Sequence, residues 1–332
     1  TTMTPRKRLL TCFRRRRLSS GAATLRIPKT MPITDPHVHY WIPEKFRWME
    51  NAKTDAGWLT SALKEYLPTH HMWEFQPLKL VKTVHVQANW HVTGEDCVGE
   101  TKFEQELAAI RQNQGHPHAI VSYAPLHRPL DAEKAIQRHM QYENFRGIRF
   151  MLDYDENTPH MNQTDRDYLN DPDFHAGLRL MEEHRGMIFD MQLCQSQLCR
   201  ASDMCARFSE LNFVLNHAGF PLSGETKRKE WKEGIRKLAQ LENVWVKISG
   251  LGMWEGGWRG VDAISGHVED VIDAFGSSRT MFASNFPVDM ALDPDSIGLF
   301  DDFYRVVKDE MQLKDEDIED MFHHNAGVIY KL

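Results

Sequence analysis

The chain has 332 residues, of which 41% are hydrophobic and 10% aromatic, so it can bury a large core as two average domains or as one α/β barrel. Its formal net charge of −7, and the lack of a basic stripe in the body of the chain, argue against a nucleic-acid-binding surface. No apolar run reaches the ~18 residues of a membrane span, which argues against a transmembrane helix.

The charge is unevenly distributed. Residues 1–34 carry nine Lys or Arg and no Asp or Glu, so the rest of the chain has a formal charge of −16. A composition rich in Arg, with Ser and without acids, is typical of an organellar transit peptide. We therefore interpret residues 1–31 as a basic leader and expect a mitochondrial location. A translated upstream leader or a disordered basic tail on a cytoplasmic protein is the alternative.

The five cysteines do not form a recognisable framework. Their number is odd and no C-x-x-C is present, which favours reduced thiols in an intracellular setting. The cluster Cys194, Cys199 and Cys205 fits no common zinc knuckle, so we expect buried thiols there.

Short β-branched apolar runs alternate with amphipathic stretches from residue 32 to the carboxyl end. We predict strands at residues 33–39, 81–88, 119–126, 147–152, 187–193, 213–217, 244–251 and 280–285. We predict helices at residues 103–113, 131–142, 173–184, 197–208, 227–241, 261–275, 297–311 and 314–325. This alternation implies right-handed βαβ units and a parallel sheet, and eight units predict a single-domain (β/α)₈ TIM barrel over residues 32–332. No G-x-G-x-x-G follows an early strand, so a dinucleotide-binding fold is not supported.

A long loop, residues 41–80, follows the first predicted strand and contains Trp41, Trp48, Trp58 and Trp73. In a barrel, a long loop at the carboxyl end of a strand normally builds the active-site wall or a lid. The alternative is that most of these tryptophans only fasten the loop to the barrel.

The first strand ends in Asp35-Pro36-His37-Val38-His39, a D-x-H-x-H run. His37 and His39 are two residues apart on a strand, so both side chains point to one face. Two imidazoles on one face can bind one metal ion or one substrate, and burying them for packing alone would be costly.

Polar residues also occupy the carboxyl ends of later strands, which converge on one mouth in a barrel. They are Gln87, Arg149, Asp190, Gln192, His217, Lys247, Ser249 and Asn285. Arg149 suits recognition of a carboxylate or carbonyl, although an ion-pairing role is equally open. Lys247 could instead neutralise carboxylates inside the barrel. These residues predict an active site at the carboxyl mouth.

Six segments in chain order carry a family resemblance: D-P-H-V-H, R-G-I-R-F, N-H-A-G, K-I-S-G-L, S-N-F-P-V-D and the terminal H-N-A-x-x-x-Y. Over residues 32–332 they resemble the amidohydrolase-2 branch of the amidohydrolase superfamily, in particular its lactonase-like members of the fuconolactonase and pyrone-dicarboxylate lactonase type. The motifs are specific for the family and not for a substrate.

The resemblance implies roles for individual residues. His37 and His39 match the metal-binding pair of strand 1, and His217 matches the strand-6 histidine. Asn285 stands where the family usually has an aspartate that binds metal and deprotonates the attacking water. Gln192 stands where metal-rich members have a histidine, and Arg149 matches an arginine of this branch.

Because Asn285 and Gln192 depart from the family pattern, the sequence does not decide whether a metal ion is bound. His37, His39 and His217 could hold a divalent ion, Zn or Mn, with an open position for water. Asn285 could bind through its carbonyl oxygen but cannot act as a base. Hydrolysis without metal is the alternative. We hypothesise that Asp289 takes over part of the missing aspartate's role; the alternative is that it caps the following turn.

The resulting expectation is a hydrolase of small cyclic esters, a sugar-acid or dicarboxylate lactone, with Asp289, Asp35 or a histidine as the base. Substrate contacts are expected from Trp41, Gln87, Arg149, Gln192 and Trp254. A metal-dependent decarboxylase of the same family is one alternative. An inactive barrel that serves as a structural subunit of an organellar complex is the other. A homo-oligomer is also open.

Overall fold

The structure is a computed structural model that describes residues 25–50, 59, 61–94, 96–292 and 297–332. Its centre is one sheet of eight parallel strands in chain order. They are β1 (Pro32–Val38), β2 (Lys79–Val86), β3 (Ala119–Ser122), β4 (Phe145–Met151), β5 (Ile188–Gln192), β6 (Asn212–Leu215), β7 (Val244–Ile248) and β8 (Thr280–Phe282). The His39 amide donates to the Phe286 carbonyl at 2.8 Å and so brings the two edge strands together. The predicted TIM barrel is confirmed.

Helices lie between the strands and cover the outside of the barrel. They are α1 (Pro68–Glu74), α2 (Val98–Ala109), α3 (Pro129–His139), α4 (Pro172–Glu183), α5 (Leu198–Ala206), α6 (Glu225–Ala239), α7 (Val261–Phe275), α8 (Val288–Leu292), α9 (Gly298–Arg305), α10 (Asp315–Glu319) and α11 (Asn325–Tyr330). Their buried apolar faces and the outward side chains of the strands form the main core.

At the amino end of the barrel, apolar side chains fill the interior. Val84, Val121 and Val214 belong to a buried apolar cluster with Tyr330 of α11. Above them, the Lys247 ammonium pairs with Asp190 at 2.5 Å, both fully buried. Tyr330 donates its hydroxyl to the other oxygen of Asp190 at 2.7 Å. Lys247 therefore neutralises a carboxylate inside the barrel, as the second of the two roles considered for it from the sequence requires.

Several predicted boundaries were wrong. The sixth strand stops at Leu215 because residues Asn216–Gly219 form a tight turn, with His217 at φ 56°. The last helix does not end at Asn325, because the π-helical segment Asp320–His324 links α10 to α11 and continues it to Tyr330. A second π-helical segment, Val306–Glu310, extends α9. Helices α1 and α8 were not predicted, because both are short and lie in segments interpreted as loops.

The folded body starts before residue 32. Ile27 is buried in the main core, and the amides of Arg26 and Ile27 donate to Asp301 Oδ1 at 2.5 and 2.9 Å. Residues 26 and 27, which the sequence assigned to the leader, therefore contact the barrel, and the boundary at residue 31 stays a prediction. Residues 1–24 of the expected leader lie outside the described residues. Within the part of the chain that is described, no helix is long and apolar enough to cross a membrane.

Candidate active site

The carboxyl ends of the strands surround a cavity of about 440 Å³. Seven of the predicted site residues line it: His39, Trp41, Gln87, Arg149, Gln192, His217 and Asn285. His37 lies buried against two of them, and Asp289 lies behind Asn285 without lining the cavity. The side chain of Trp254 lies outside the described residues. The barrel thus brings residues from six strand ends to one place.

Hydrogen bonds fix the tautomer of His39. Its Nδ1 donates to the Val86 carbonyl at 2.7 Å, so Nε2 carries the lone pair in the neutral ring. Burial lowers the pKa of His39 to about 3, and the ring is therefore neutral at physiological pH. Nε2 faces Asn285 Oδ1 at 3.3 Å.

Asp289 orients the amide of Asn285. Asn285 Nδ2 donates to Asp289 Oδ1 at 2.8 Å, and the Gly250 amide donates to Asp289 Oδ2 at 3.1 Å. This leaves Asn285 Oδ1 pointing at His39. Two lone pairs therefore face each other, an arrangement that a cation or a donor between them would stabilise. Burial raises the pKa of Asp289 to about 6.

His37 and His217 complete a group of imidazoles. The ring centroid of His37 lies 5.0 Å from that of His39 and 4.6 Å from that of His217. Both ring nitrogens of His37 are buried without a hydrogen-bond partner, which is unusual for a buried polar group. His217 Nδ1 lies 2.9 Å from the Ser249 hydroxyl. Burial lowers the pKa of both rings well below the usual value, so both keep a free lone pair.

These donors fit a divalent ion in type. Neutral imidazoles are ordinary ligands of zinc, and a carbonyl oxygen suits manganese. Among the residues that the structure describes, however, no three His, Cys, Asp or Glu side chains are arranged to hold a metal ion. The unpartnered ring of His37 and the facing lone pairs of His39 and Asn285 are the features that suit one.

On the opposite wall, Arg149 of β4 is buried and held at two points. Its Nη1 donates to the Gln87 carbonyl at 3.1 Å, and its Nη2 donates to Gln192 Oε1. Gln192 Nε2 in turn donates to Asp153 at 2.9 Å. Burial lowers the pKa of Arg149 to about 10, so the guanidinium stays charged at neutral pH. Its position gives the cavity one fixed cation.

The long loop after β1 forms part of the cavity wall. Trp41 stacks on His39, with ring centroids 5.9 Å apart and planes 8° apart, and its Nε1 donates to the Lys64 carbonyl at 2.8 Å. Trp48 Nε1 donates to the Ala88 carbonyl at 2.8 Å. These tryptophans both fasten the loop and shape the site. Trp58 lies outside the described part of the chain.

Several residues at the carboxyl end of the barrel, around the cavity, have a strained backbone conformation. Asn89, His217, Ala218, Phe220 and Asn285 all have positive φ, between 48° and 63°. Residues other than glycine rarely adopt this conformation, and such strain clusters at functional sites. The strain at His217 and Asn285 aims both side chains into the cavity.

Some site residues were missed from the sequence. Asp153, two residues beyond β4, is fully buried, and burial raises its pKa to about 6. Gln87 and Arg149 were selected because they are polar residues near the carboxyl end of a predicted strand. The same criterion could have identified Asp153. Met151, His160 and Gln163 also line the cavity but carry no signal of this kind.

The chain belongs to the amidohydrolase family (Amidohydro_2), whose family model matches residues 34–332, and it is a hydrolase of that family. It is 32% identical to the uncharacterized protein y4mH of Sinorhizobium fredii, over 90% of this chain and 98% of that protein. It is 29% identical to an L-fucono-1,5-lactonase of Burkholderia multivorans, over 76% of this chain and 81% of the relative.

A solved amidohydrolase of Burkholderia multivorans with bound zinc superposes with a TM-score of 0.71. The match covers 90% of this chain and 99% of that protein at 24% identity. At this identity the likeness extends to the fold alone.

Proposed function

We propose that this hydrolase opens the ring of a sugar-acid lactone in the cavity at the barrel mouth. The observation that carries the proposal is the placement of one buried cation, Arg149, and the neutral imidazoles of His39 and His217 on the walls of one cavity. Lactone hydrolysis needs a positive group for the developing oxyanion and a lone pair for the proton of water. The sequence likeness to an L-fucono-1,5-lactonase supports a sugar acid.

In this proposal His217 moves the proton. This step requires the tautomer in which Nδ1 donates to the Ser249 hydroxyl, 2.9 Å away, so that the lone pair lies on Nε2. Water attacks the lactone carbonyl, and its proton passes to Nε2. The new oxyanion lies against the guanidinium of Arg149. The C–O bond of the ring then breaks, and the leaving alkoxide takes the proton back from His217, which gives the open hydroxy acid.

A divalent ion would bind to His39 Nε2, Asn285 Oδ1 and a ring nitrogen of His37. Bound there, such an ion acidifies water and polarises a carbonyl. Neutral imidazoles and the oriented amide oxygen support this assignment.

Asp289 acts through Asn285 in this proposal. Both of its oxygens accept hydrogen bonds, from Asn285 and Gly250, and it does not line the cavity. It is therefore better placed to orient the amide than to deprotonate water.

A panel of aldono-1,5-lactones and aldono-1,4-lactones tests the proposal by proton release above the buffer rate, together with metal analysis of the purified protein. Turnover of at least one sugar-acid lactone is expected. Release of CO₂ from aromatic or pyrone acids without lactone turnover would favour the decarboxylase. No turnover of either class, with stable incorporation into a larger complex, would favour the structural subunit.

A further inference from the structure

A second cavity, of about 490 Å³, adjoins the first one. The two share Gln87, Asn89, Met151 and Gln163 as a common wall. Each volume alone lies in the range of small-molecule sites, about 300–1,000 Å³. A substrate that occupies the first cavity can therefore extend into the second.

Unpartnered polar atoms mark the wall of the second cavity. Gln87 is fully buried, and its Nε2 has no hydrogen-bond partner. Asn89 Oδ1, His91 Nδ1 and His127 Nδ1 are likewise buried without a partner. Buried polar groups in proteins are nearly always satisfied. Four lining residues therefore hold hydrogen-bonding capacity that a ligand would take up once their side chains rotate toward it.

Aromatic rings form the rest of this wall. The ring of His91 lies flat on Tyr123, with centroids 3.4 Å apart and planes 3° apart. The ring centroid of Phe150 lies 5.6 Å from that of Tyr123, and Tyr168 packs edge-on against Phe150. Flat apolar faces next to amide and imidazole groups suit a ring that is apolar on its face and polar at its edge.

The polar groups of the second cavity are neutral. Burial lowers the pKa of His91 to about 4 and lowers that of His127, so both rings are uncharged at neutral pH. The described lining includes no Lys or Arg, and its one carboxylate, on Asp165, is largely exposed and accepts from Tyr168 at 3.0 Å. The guanidiniums of Arg128 and Arg166 lie close enough to act on His127, but both are more than half exposed. Arg128 pairs with Asp131, and Arg166 pairs with Asp165 and Asp171, so neither is an unpaired countercharge for an anionic ligand. Hydroxyls, which both donate and accept, match an amide N–H, an amide oxygen and two imidazoles.

We propose that the second cavity binds a neutral, hydroxylated sugar ring attached to the lactone, so that the preferred substrate is a disaccharide-sized aldonolactone. This inference rests on the proposed lactonase activity. The sugar ring packs against the aromatic wall that His91, Tyr123, Phe150 and Tyr168 form together. Its hydroxyls bond to Gln87, Asn89, His91 and His127.

The test compares matched lactones: gluconolactone with cellobionolactone, maltobionolactone and lactobionolactone. For at least one pair, kcat/KM is expected to be about tenfold or more higher for the disaccharide form, since a site built to bond hydroxyls discriminates strongly against ligands that lack them. In Val92→Trp, which places an indole at the exposed rim of the second cavity, this ratio should fall to about one. The matched control is Leu130→Trp, at an exposed position away from both cavities, which should keep the ratio.

Lactone turnover with no preference in any pair, or a preference that Val92→Trp leaves intact, would overturn the inference. Failure to turn over any lactone would overturn the proposed function instead. In that case calorimetric titration with cellobiose, maltose and lactose tests sugar binding in the second cavity independently of lactone turnover. Binding that is about tenfold weaker in Val92→Trp than in Leu130→Trp supports the sugar site, and no binding or equal binding rejects it.

Discussion

Asn285 donates its amide hydrogen bond to Asp289 at 2.8 Å, and the same amide presents its oxygen to His39 Nε2 at 3.3 Å. Asp289 lies four residues beyond Asn285 and does not line the cavity itself. It acts on the lining of the cavity through the amide of Asn285.

Asn285→Asp should therefore lower activity, although the family resemblance suggests an aspartate at this position. Two carboxylates would face each other across the present 2.8 Å hydrogen bond, and one of them would stay protonated at neutral pH. We expect kcat/KM for the best lactone to fall about tenfold or more, in line with losses at groups that orient ligands. The exchange variant Asn285→Asp/Asp289→Asn should recover most of this loss. A single variant that is faster than the wild type would contradict the interpretation.

Arg149 should be required in both charge and shape. Arg149→Met is expected to lower kcat/KM by about 10²–10³-fold, the usual effect of removing an oxyanion-stabilising donor. Arg149→Lys should rescue little of this, because one ammonium cannot bond both the Gln87 carbonyl and Gln192 in the same planar way. Steady-state kinetics on samples matched by circular dichroism measure this. Full activity in the lysine variant would show that charge alone is sufficient.

Asp153 should make stability depend on pH. Burial raises its pKa to about 6 from an ordinary value of 3.8, so between these values the folded state binds a proton that the unfolded state has released. Its contribution to the free energy of unfolding therefore falls as pH rises through this window, by about 1–3 kcal/mol. Asp153→Asn keeps an oxygen for Gln192 and should flatten this part of the profile. Urea unfolding at intervals from pH 4 to pH 7 measures the slope. An equal slope in the wild type and the variant would reject the assignment.

Tyr330→Phe should destabilise the fold without changing the site. The variant removes the hydroxyl that donates to the buried Asp190 at 2.7 Å, and leaving that acceptor unsatisfied costs about 1–3 kcal/mol. Activity per folded molecule should stay within about twofold, since Tyr330 lies at the amino end of the barrel. Val328→Ala, at an exposed position of the same helix, is the control. Equal unfolding midpoints for the two variants would show that this bond contributes nothing.

The barrel could be predicted because its strands carry local signals. β-branched runs such as residues 244–248 and 119–122 are short, largely apolar and followed by amphipathic helices, which is the pattern of a parallel sheet with covered faces. The D-x-H-x-H run and Arg149 could be located for the same reason, since a polar residue that ends such a run must lie at the mouth.

Other parts depend on contacts that no local pattern contains. The direction of the Asn285 amide is decided by Asp289 and by the turn that gives Asn285 its φ of 54°. The second cavity arises where segments after β2, β3 and β4 meet, so His91 and His127 carry no signal in their own neighbourhoods. The extension of the core to Ile27 depends on Asp301, 274 residues away in the chain.

The central claim is that the protein hydrolyses a sugar-acid lactone at the barrel mouth, and that the imidazole of His217 accepts the proton of the attacking water. The most direct measurement is kcat/KM for the best lactone of the panel in the wild type, in His217→Asn and in the exposed control His324→Asn. Asparagine tolerates the positive φ of position 217, so folding should be retained. The account predicts a loss of about 10²–10⁴-fold in His217→Asn and none in His324→Asn. Equal activity in all three proteins would contradict it.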